Sequence, residues 1–365
     1  MDPYPRTWAE IDLPTLGANL AKVRGVVGDG VAIALVSKAD AYGHGLIPVS
    51  RYAVRNGADW IAVATVQEGI AVRDSGIDGP VLVLSPILEV EAEQAVFYSF
   101  DIVVERVSTA QALSRAATPE RRARIHLKID TGLARFGAKP SEAPEIAKQI
   151  KALPNVDLVG ISQHFSASGT DPDATKQQEQ RFDRAIADCK REGIEFQWIQ
   201  AANSWGTVSY PSARHNLVRV GMIAYGFGEA SRKIGCEPVM KWMARITAMR
   251  EVLAGTPLSY GSIYVTERPS RIATVGAGYG DGYPRSASNK AHVTVCGVVV
   301  PVLGAVCMDQ LLIDVTDVPN ADLGEVVTLI GEKTSADDLA QAAGTITHEI
   351  VARLMSRVPR RYNFG

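Results

Sequence analysis

The stretch Ala34-Leu35-Val36-Ser37-Lys38-Ala39-Asp40-Ala41-Tyr42-Gly43-His44-Gly45 joins an apolar segment to a polar loop. Residues 31–36 are apolar and rich in β-branched side chains, which is typical of a buried strand. Lys38 follows at the end of this strand, where poor solvation would lower the pKa of its amine and make it a nucleophile or base. The alternative is an ordinary lysine whose amine extends to solvent. The rest of the chain decides between them.

The composition is that of a folded globular protein. Of the 365 residues, 46% are hydrophobic and 21% are charged, and the formal net charge is −2, so we expect no nucleic-acid partner. We find no apolar run of membrane-spanning length and no signal peptide, so we expect a cytoplasmic protein without a membrane partner. The cysteines are widely spaced, and we expect them to be reduced and buried. They are Cys189, Cys236, Cys296 and Cys307.

Strand and helix patterns alternate over the first 230 residues or so. Eight apolar runs have the length of buried strands, and each but the last is followed by a plausible helix or crossover. This alternation predicts a parallel sheet covered by helices, and eight units of this size predict a (β/α)8 TIM barrel, with an open doubly wound sheet as the alternative. The predicted strands are 31–36, 60–66, 81–84, 101–104, 124–129, 158–163, 198–202 and 216–220. The predicted helices are 13–27, 48–55, 68–74, 89–99, 109–115, 141–152 and 175–192.

Most of these predicted strands are followed by a polar side chain. In a barrel such residues would surround one mouth, at the C-terminal ends of the strands, where catalytic residues collect. The alternative is that any strand must end in something polar. The residues are Lys38, Thr65, Ser85, Glu105, Lys128, Asp130, His164, Asn203 and Arg219.

The pattern changes after about residue 233. Six β-rich runs follow one another with only turn residues between them, and two helical segments come after them. We therefore predict two domains, a barrel over residues 1–232 and a mainly antiparallel β domain over residues 233–365. The β runs are 243–252, 259–266, 271–276, 292–302, 310–315 and 325–330, and the helices are 335–343 and 347–355.

Two segments after the seventh and eighth predicted strands, Asn203-Ser204 and Arg219-Val220-Gly221-Met222, could bind phosphate. Barrels commonly do so there with backbone N–H groups and small residues, although ordinary turns are an equal alternative. Phosphate near a strand-end lysine suggests pyridoxal 5'-phosphate, whose aldehyde condenses with lysine. We reject a dinucleotide site at residues 276–282, because no helix follows, and a zinc site at His348-Glu349, which lacks a second histidine.

Seven segments of the chain resemble the bacterial alanine racemases, in that family's order and over nearly the whole length. The resemblance implies a pyridoxal-phosphate-dependent barrel of fold type III with a C-terminal β domain, working as a homodimer with shared active sites. It also implies interconversion of L-alanine and D-alanine, supplying D-alanine for peptidoglycan. The segments are Val36-Ser37-Lys38-Ala39-Asp40-Ala41-Tyr42-Gly43-His44-Gly45, Lys128-Ile129-Asp130-Thr131-Gly132-Leu133-Ala134-Arg135-Phe136-Gly137, Ala202-Asn203-Ser204, Arg219-Val220-Gly221-Met222, Ser259-Tyr260-Gly261, Gly278-Tyr279-Gly280-Asp281-Gly282 and Cys307-Met308-Asp309-Gln310.

The resemblance also assigns roles to individual residues. Lys38 would carry the cofactor and act as one catalytic base, and Tyr260 of the other subunit would be the second base. The remaining cofactor residues would be Tyr42, Ser204, Gly221 and Met222 at the phosphate, Arg219 at the pyridine nitrogen, and His164 and Asn203 beside them. Arg135 and the Met308 N–H would bind the substrate carboxylate, Tyr279 would line the substrate entry, and Lys128 would be carbamylated and orient Arg135.

Racemisation explains the need for two bases. A proton must leave one face of the α-carbon and another must arrive on the opposite face, which one fixed base cannot do. A free tyrosine titrates at about 10, so an anionic Tyr260 needs positive charge nearby, for which His164 and Arg219 are the expected sources. Arginine stays protonated and cannot protonate the pyridine, which should suppress transamination.

The chain departs from the family in two places, residues 163–169 and Ser356, which stands where some members have a phosphate-binding tyrosine. These departures leave serine or broader specificity open. A decarboxylase on the same fold and a non-catalytic carrier of pyridoxal phosphate are further alternatives. The arginine at the ring nitrogen argues against the first, and the second domain with Tyr260 argues against the other.

Overall fold

The computed structural model describes residues 5–365, and its strands form two large sheets and one small hairpin. The strands are β1 (Thr7–Asp12), β2 (Ala32–Val36), β3 (Trp60–Val63), β4 (Val81–Val83), β5 (Asp101–Val104), β6 (Ala123–Lys128), β7 (Val156–Ser162), β8 (Trp198–Gln200), β9 (Leu217–Val220), β10 (Met240–Val252), β11 (Pro257–Leu258), β12 (Tyr264–Val265), β13 (Ser270–Val275), β14 (His292–Val295), β15 (Val298–Leu303), β16 (Leu311–Asp314), β17 (Val326–Ile330) and β18 (Arg360–Asn363).

The helices follow the barrel strands and recur near the end of the chain. They are α1 (Leu13–Val27), α2 (Lys38–Tyr42), α3 (Leu46–Arg55), α4 (Val66–Asp74), α5 (Ala92–Phe97), α6 (Val107–Ala116), α7 (Ala143–Lys151), α8 (Pro172–Arg191), α9 (Ser204–Ser209), α10 (Met222–Tyr225), α11 (Glu229–Lys233), α12 (Ala336–Ala343) and α13 (Thr347–Ala352). Short 3-10 turns lie at Glu89–Glu91, Pro140–Glu142, Pro211–Arg214, Tyr260–Ser262 and Arg285–Ala287. No helix in residues 5–365 is both long and apolar enough to span a membrane.

The first sheet is the predicted (β/α)8 barrel. Strands β2 to β9 are all parallel, and β2 to β8 pair in chain order, with β9 beside β2. The N–H of Arg219 donates to the carbonyl of Ala202, 3.0 Å away, and joins β9 to the end of β8. This bond closes the sheet on itself, so the closed barrel is confirmed and the open sheet is excluded.

Side chains fill the barrel on both faces of its strands, as expected where helices cover a parallel sheet. Trp60, Leu82 and Leu217 are fully or almost fully buried in the interior cluster, while Leu16 and Leu20 of α1 belong to the cluster outside the strands. Continuous apolar runs such as β2 and β3 therefore arise because neither face of the strand meets water.

The second sheet is built around the long strand β10, which pairs with three other strands along its length. Its first half pairs with β1 and β17, and its second half pairs antiparallel with β13, after a register shift between Ile246 and Ala248. Strands β13, β16, β15, β14 and β17 complete a closed ring with β10, and β1 and β18 extend it at one side. The predicted antiparallel β domain is thereby confirmed.

The first strand does not belong to the barrel. Residues 7–12 pair antiparallel with β10 and parallel with β18, so assigning them to the domain of residues 1–232 was wrong. Their alternating pattern buries Trp8, Ala9 and Ile11 in the second sheet. The chain thus begins in the second sheet, builds the barrel from α1 onward, and returns.

Several shorter elements also differ from the prediction. The predicted strand 259–266 is two short strands flanking a 3-10 turn, and the predicted strand 292–302 is a hairpin that turns at Cys296-Gly297. Cys296 is exposed at this turn with a φ of 48°, whereas Cys189 and Cys236 are buried as expected. Strand β18 and the short helices α9 to α11 were missed, because elements of four to six residues carry little periodicity.

Candidate active site

A cavity of about 1090 Å³ lies at the mouth of the barrel formed by the C-terminal ends of the strands. Side chains of α12 and α13 from the second domain form part of its wall. Ten of the thirteen predicted site residues line it: Lys38, Tyr42, Lys128, Arg135, His164, Asn203, Ser204, Arg219, Gly221 and Met222.

The loop that carries Lys38 has an unusual backbone. Residues 39–42 all have φ between 52° and 55°, a left-handed turn made without glycine. Such a conformation costs about 1–2 kcal/mol per residue, so other contacts must hold it. The N–H of Ala39 donates to the Glu68 carboxylate at 2.7 Å, and Asp40 accepts from the Leu46 N–H at 2.8 Å. These bonds fix both ends of the turn that aims Lys38 into the cavity.

The end of the chain packs against the same loop. A Cβ on Gly43 would overlap the carbonyl of Val351, and a Cβ on Gly45 would overlap the hydroxyl of Tyr362. Arg360 donates through Nε to the carbonyl of Gly43, 3.0 Å away. The second domain of the same chain therefore helps to hold the Lys38 loop in place.

Two lysines in the cavity have amines whose pKa is lowered. Burial and the nearby Arg135 lower the pKa of Lys38 below its ordinary value, although Glu68 opposes this. Burial, together with Arg219 and Arg135, lowers the pKa of Lys128 to about 7. The Nζ of Lys128 donates to the Ile129 carbonyl, 2.9 Å away. An unprotonated amine is thus accessible at Lys128 near neutral pH, and Lys38 releases its proton more readily than an exposed lysine does.

Arg135 stands on a loop shaped by Asp130. One carboxylate oxygen of Asp130 accepts from the N–H groups of Gly132, Leu133 and Ala134 at 2.9, 3.0 and 3.1 Å. These bonds hold the pKa of Asp130 below its ordinary value against the effect of burial. Asp130 was predicted to lie at the barrel mouth, and it acts there by shaping a loop rather than by lining the cavity.

Arg219 is buried at the cavity floor and is held almost entirely by carbonyl oxygens. Its Nη atoms donate to the carbonyls of Gln163 at 2.7 Å, Gln200 at 3.1 Å and Ala201 at 3.2 Å, and to the side-chain oxygen of Gln200 at 2.9 Å. Its Nε makes no hydrogen bond to any residue in 5–365. One N–H of this cation is therefore left for a ligand.

His164 lies beside Arg219, with 3.3 Å between its Nδ1 and an Nη of Arg219. Burial and the surrounding cations, Arg219 first, move the pKa of His164 well below its ordinary value. His164 is therefore neutral near pH 7. The expectation that it supplies positive charge was wrong, and Arg219 alone of the two carries that charge.

Hydroxyl and backbone N–H groups come together at one side of the cavity, around Ser204 and Gly221. The N–H groups of Gly221 and Ile223 point to the Ser204 hydroxyl at 3.2 and 3.5 Å. Asn203 caps α9 by accepting from the Gly206 N–H at 2.9 Å. A Cβ on Gly221 would lie 2.9 Å from the Tyr42 hydroxyl, so only glycine allows this close approach.

The other three predicted site residues lie outside the cavity, on the surface of the second domain. Tyr260 is 74% exposed, Tyr279 41% and Met308 53%. The loops of Tyr279 and Met308 are joined by backbone bonds of 3.0 Å, from the Tyr279 N–H to Cys307, and 2.8 Å, from the Gly280 N–H to Met308. Within one chain, then, the predicted residues form two separate groups.

A buried carboxylate supports the second group. Asp281 is fully buried and accepts from Arg6 at 2.6 Å and from Arg357 at 2.7 Å, while Arg357 also reaches Asp309 at 2.7 Å. Asp281 further accepts from the Gly278 N–H at 2.9 Å. The glycine-rich segment 278–282 is thus a structural loop, consistent with the rejection of a dinucleotide site.

The polar residues of the cavity wall that sequence reasoning missed include Gln163, Gln200 and His348. His348 of α13 lies near Tyr42, with 6.1 Å between the centroids of the two rings. Burial and the nearby Lys38 lower the pKa of His348. A glutamine inside an otherwise apolar strand, as at position 200, was the available signal for one of the three.

Two family models match the chain. The model described as alanine racemase, N-terminal domain, matches residues 11–228, and the model described as alanine racemase, C-terminal domain, matches residues 239–362. The first match begins near the end of β1, in agreement with the place of β1 in the second sheet.

Full-length similarities to known proteins accompany these matches. The alanine racemase of Halothermothrix orenii is 40% identical over 365 residues, covering 98% of this chain and 96% of that protein. The alanine racemase of Nostoc sp. is 38% identical over 368 residues, covering 97% of this chain and 95% of that protein. The crystal structure of alanine racemase from a D-cycloserine-producing Streptomyces lavendulae has a TM-score of 0.93 at 33% identity, covering 100% and 98% of the two chains. The similarity therefore includes both groups of predicted site residues.

Proposed function

This chain belongs to the alanine racemase family and is an isomerase acting on alanine, and we propose that it works with pyridoxal 5'-phosphate bound at Lys38. The observation that supports this best is the cavity itself, where the strand-end Lys38 faces a set of cations at the barrel mouth. The interpretation of Lys38 as a reactive amine is thereby preferred to the solvated one.

The residues present fit this cofactor. The cavity is lined by five Lys and Arg side chains and two carboxylates, Glu229 and Asp337, and Asp337 already pairs with Arg232 at 2.5 Å. The guanidinium groups of Arg135 and Arg219 would offset the negative charge of a phosphate and of the amino acid's carboxylate. The free Nε of Arg219 suits an acceptor without a proton, such as a pyridine nitrogen, because arginine can only donate. Ser204, Tyr42 and the Gly221 N–H would hold the phosphate.

Bound pyridoxal phosphate would withdraw charge from the substrate α-carbon and so acidify its C–H bond. Lys38, whose pKa is lowered, would take or return a proton at this carbon from one face. Tyr260 would act on the other face, and Arg135 and the Met308 N–H would hold the substrate carboxylate. Lys128, whose pKa is lowered to about 7, has an unprotonated fraction near neutral pH that is suited to carbamylation, and the added negative charge would orient Arg135.

Tyr260, Tyr279 and Met308 would reach the cavity of a second subunit. We propose a homodimer with shared sites because these residues are exposed together, away from the cavity of their own chain. The division into domains at residues 232 and 233, apart from β1, agrees with the gap between the two family matches. A cytoplasmic location and the supply of D-alanine for peptidoglycan complete the proposal, and family membership supports them.

The test is deuterium exchange at the α-carbon across a panel of amino acids, with the cofactor added. We expect exchange with alanine, and with serine to a smaller extent if the pocket is broader, together with racemisation. Lys38→Ala should abolish both racemisation and the absorbance of the lysine-bound cofactor. Retention of either in this variant would contradict the proposal, and carbon dioxide release would indicate a decarboxylase instead.

A further inference from the structure

A line of buried polar side chains crosses the interior of the barrel. It consists of Asp101 on β5, His126 on β6, Gln200 on β8 and Arg219 on β9, and we name it the Asp–His–Gln–Arg chain. Asp101 begins its strand and Gln200 ends its own, so the chain runs from the N-terminal mouth to the cavity floor. All four residues are at most 5% exposed in an interior otherwise filled by apolar side chains.

The hydrogen bonds of this chain are short and continuous. Asp101 and His126 are joined by 3.0 Å between a carboxylate oxygen and Nε2. His126 and Gln200 are joined by 2.9 Å between Nδ1 and the amide nitrogen, and Gln200 accepts from Arg219 at 2.9 Å. Gly160 on the neighbouring strand leaves room for the imidazole, since a Cβ there would overlap it.

The donors and acceptors of the Asp–His–Gln–Arg chain can be arranged in only one order when Asp101 is ionised and His126 is neutral. An ionised carboxylate can only accept, so Nε2 of His126 carries the proton and Nδ1 accepts. Gln200 must then donate its amide nitrogen to His126 and present its oxygen to Arg219. If the histidine carried its proton on Nδ1, Gln200 would turn its NH2 group toward the guanidinium, and two donors would face each other.

The carboxylate at the far end stays ionised. Burial alone would raise the pKa of Asp101, but hydrogen bonds from His126 and Arg124 hold it below its ordinary value. The bond between Arg124 and Asp101 is 2.9 Å long and lies at the N-terminal mouth, away from the line toward Arg219. Arg124 can therefore be changed without touching the three bonds of the chain.

We propose that Asp101, His126 and Gln200 are positioning residues that fix the guanidinium plane of Arg219 and leave its Nε for the ring nitrogen of the cofactor. The inference rests on the proposed function, in which Arg219 meets that nitrogen. The Nη atoms of Arg219 are all directed to acceptors of the protein, and Asp101, through His126, favours the orientation of Gln200 that presents one of these acceptors. A carboxylate at one mouth of the barrel thus acts on ligand binding at the other.

The experiment compares the affinity of the cofactor-free protein for pyridoxal phosphate and for its 1-deaza analogue, which lacks the ring nitrogen. Wild-type protein should prefer pyridoxal phosphate. In Asp101→Asn and in Gln200→Met, the preference should fall by about 3- to 30-fold, the range of coupling through such networks. Arg124→Gln, the matched control, loses the same salt bridge at the mouth and should keep the preference.

The outcomes separate the two proposals. An unchanged preference in both folded variants, or equal binding of the two compounds by the wild-type protein, would overturn the positioning role and leave the cofactor assignment standing. Absence of any pyridoxal phosphate binding in the wild-type protein would overturn both. If Asp101→Asn fails to fold, Gln200→Met decides alone, because it removes the link next to Arg219 and keeps the side-chain length.

Discussion

Lys128 shows how the surroundings of a single residue set its chemistry. Its amine lies in the wall of a cavity crowded with cations, and its pKa is about 7 instead of 10.5. Carbon dioxide adds only to an unprotonated amine, so the lowered pKa supports the proposed carbamylation at this position, whereas an exposed lysine lacks this advantage. The reactive state thus follows from burial and from the neighbouring arginines.

Replacing Lys128 by Met should change how stability depends on pH. Between about pH 7 and 10.5 the unfolded chain holds a proton on Lys128 that the folded chain lacks, so the wild-type free energy of unfolding rises with pH through this range. The Met variant lacks this rise. In cofactor-free protein and CO2-free buffer, we expect it to be more stable than wild type at pH 6, with an advantage that shrinks toward pH 9.

Urea unfolding at several pH values measures this difference. Lys139→Met, at an exposed site beside Glu142, is the control and should give a difference that hardly varies with pH. A constant offset between Lys128→Met and wild type would show that Lys128 is protonated in the folded state. Repeating the series with bicarbonate reports on carbamylation, which should stabilise the wild-type protein and Lys139→Met but not Lys128→Met.

At the scale of elements, the Lys38 loop depends on contacts that come from far along the chain. Its left-handed turn fits against residues 351–362, and two of its glycines are needed for this packing. A helix formed by local preference would not place four residues without glycine at positive φ. The loop conformation is therefore imposed by tertiary structure.

Gly43→Ala and Gly76→Ala make a matched pair that isolates this packing. Both glycines have a φ of 80°, but a Cβ at Gly76 would meet nothing within 4 Å, whereas one at Gly43 would overlap the Val351 carbonyl. Each substitution costs about 1 kcal/mol for the backbone. Gly43→Ala should cost about 1–3 kcal/mol more and weaken pyridoxal phosphate binding.

Thermal or urea unfolding and a cofactor titration measure the two effects. Equal destabilisation by the two substitutions would show that the second domain does not hold the loop. If Gly43→Ala is less stable but binds the cofactor with normal affinity, the packing contributes to stability and does not determine the shape of the cofactor site.

The elements could be predicted to the extent that local pattern determines them. The eight barrel strands and most of the covering helices follow from periodicity, because a buried parallel strand needs a continuous apolar run. Strand β1 could not be assigned to its sheet, because its partners β10 and β18 are distant in sequence. Ten site residues follow strand ends or motifs, but His348 is recognisable only once separate elements meet. The neutral state of His164 likewise depends on three-dimensional neighbours.

At the scale of the whole molecule, each chain holds two separate groups of predicted site residues. The cavity contains Lys38, while Tyr260 stands exposed on the other domain. A symmetric dimer in which each surface faces the other cavity would complete both sites at once, since a two-fold interface repeats every contact. Activity should therefore require association.

Mixed dimers test this arrangement. Lys38→Ala and Tyr260→Phe should each be nearly inactive alone, but a mixed dimer has one site with both substitutions and one site with neither. After unfolding and refolding an equal mixture, half of the dimers are mixed, so about a quarter of wild-type activity should return. Mixing without refolding is the control. If subunit exchange is verified and no activity returns, Lys38 and Tyr260 belong to the site of the same chain.

The position of β1 between β10 and β18 has a consequence for synthesis on the ribosome. Residues 13–239 emerge between β1 and its first partner, so β1 has no strand to pair with while the barrel forms. The contacts of residues 351–362 with the Lys38 loop arise later still. A nascent chain with a finished barrel therefore still lacks the support for its Lys38 loop, and we expect the proposed cofactor to bind only after translation has supplied both partners of the first strand.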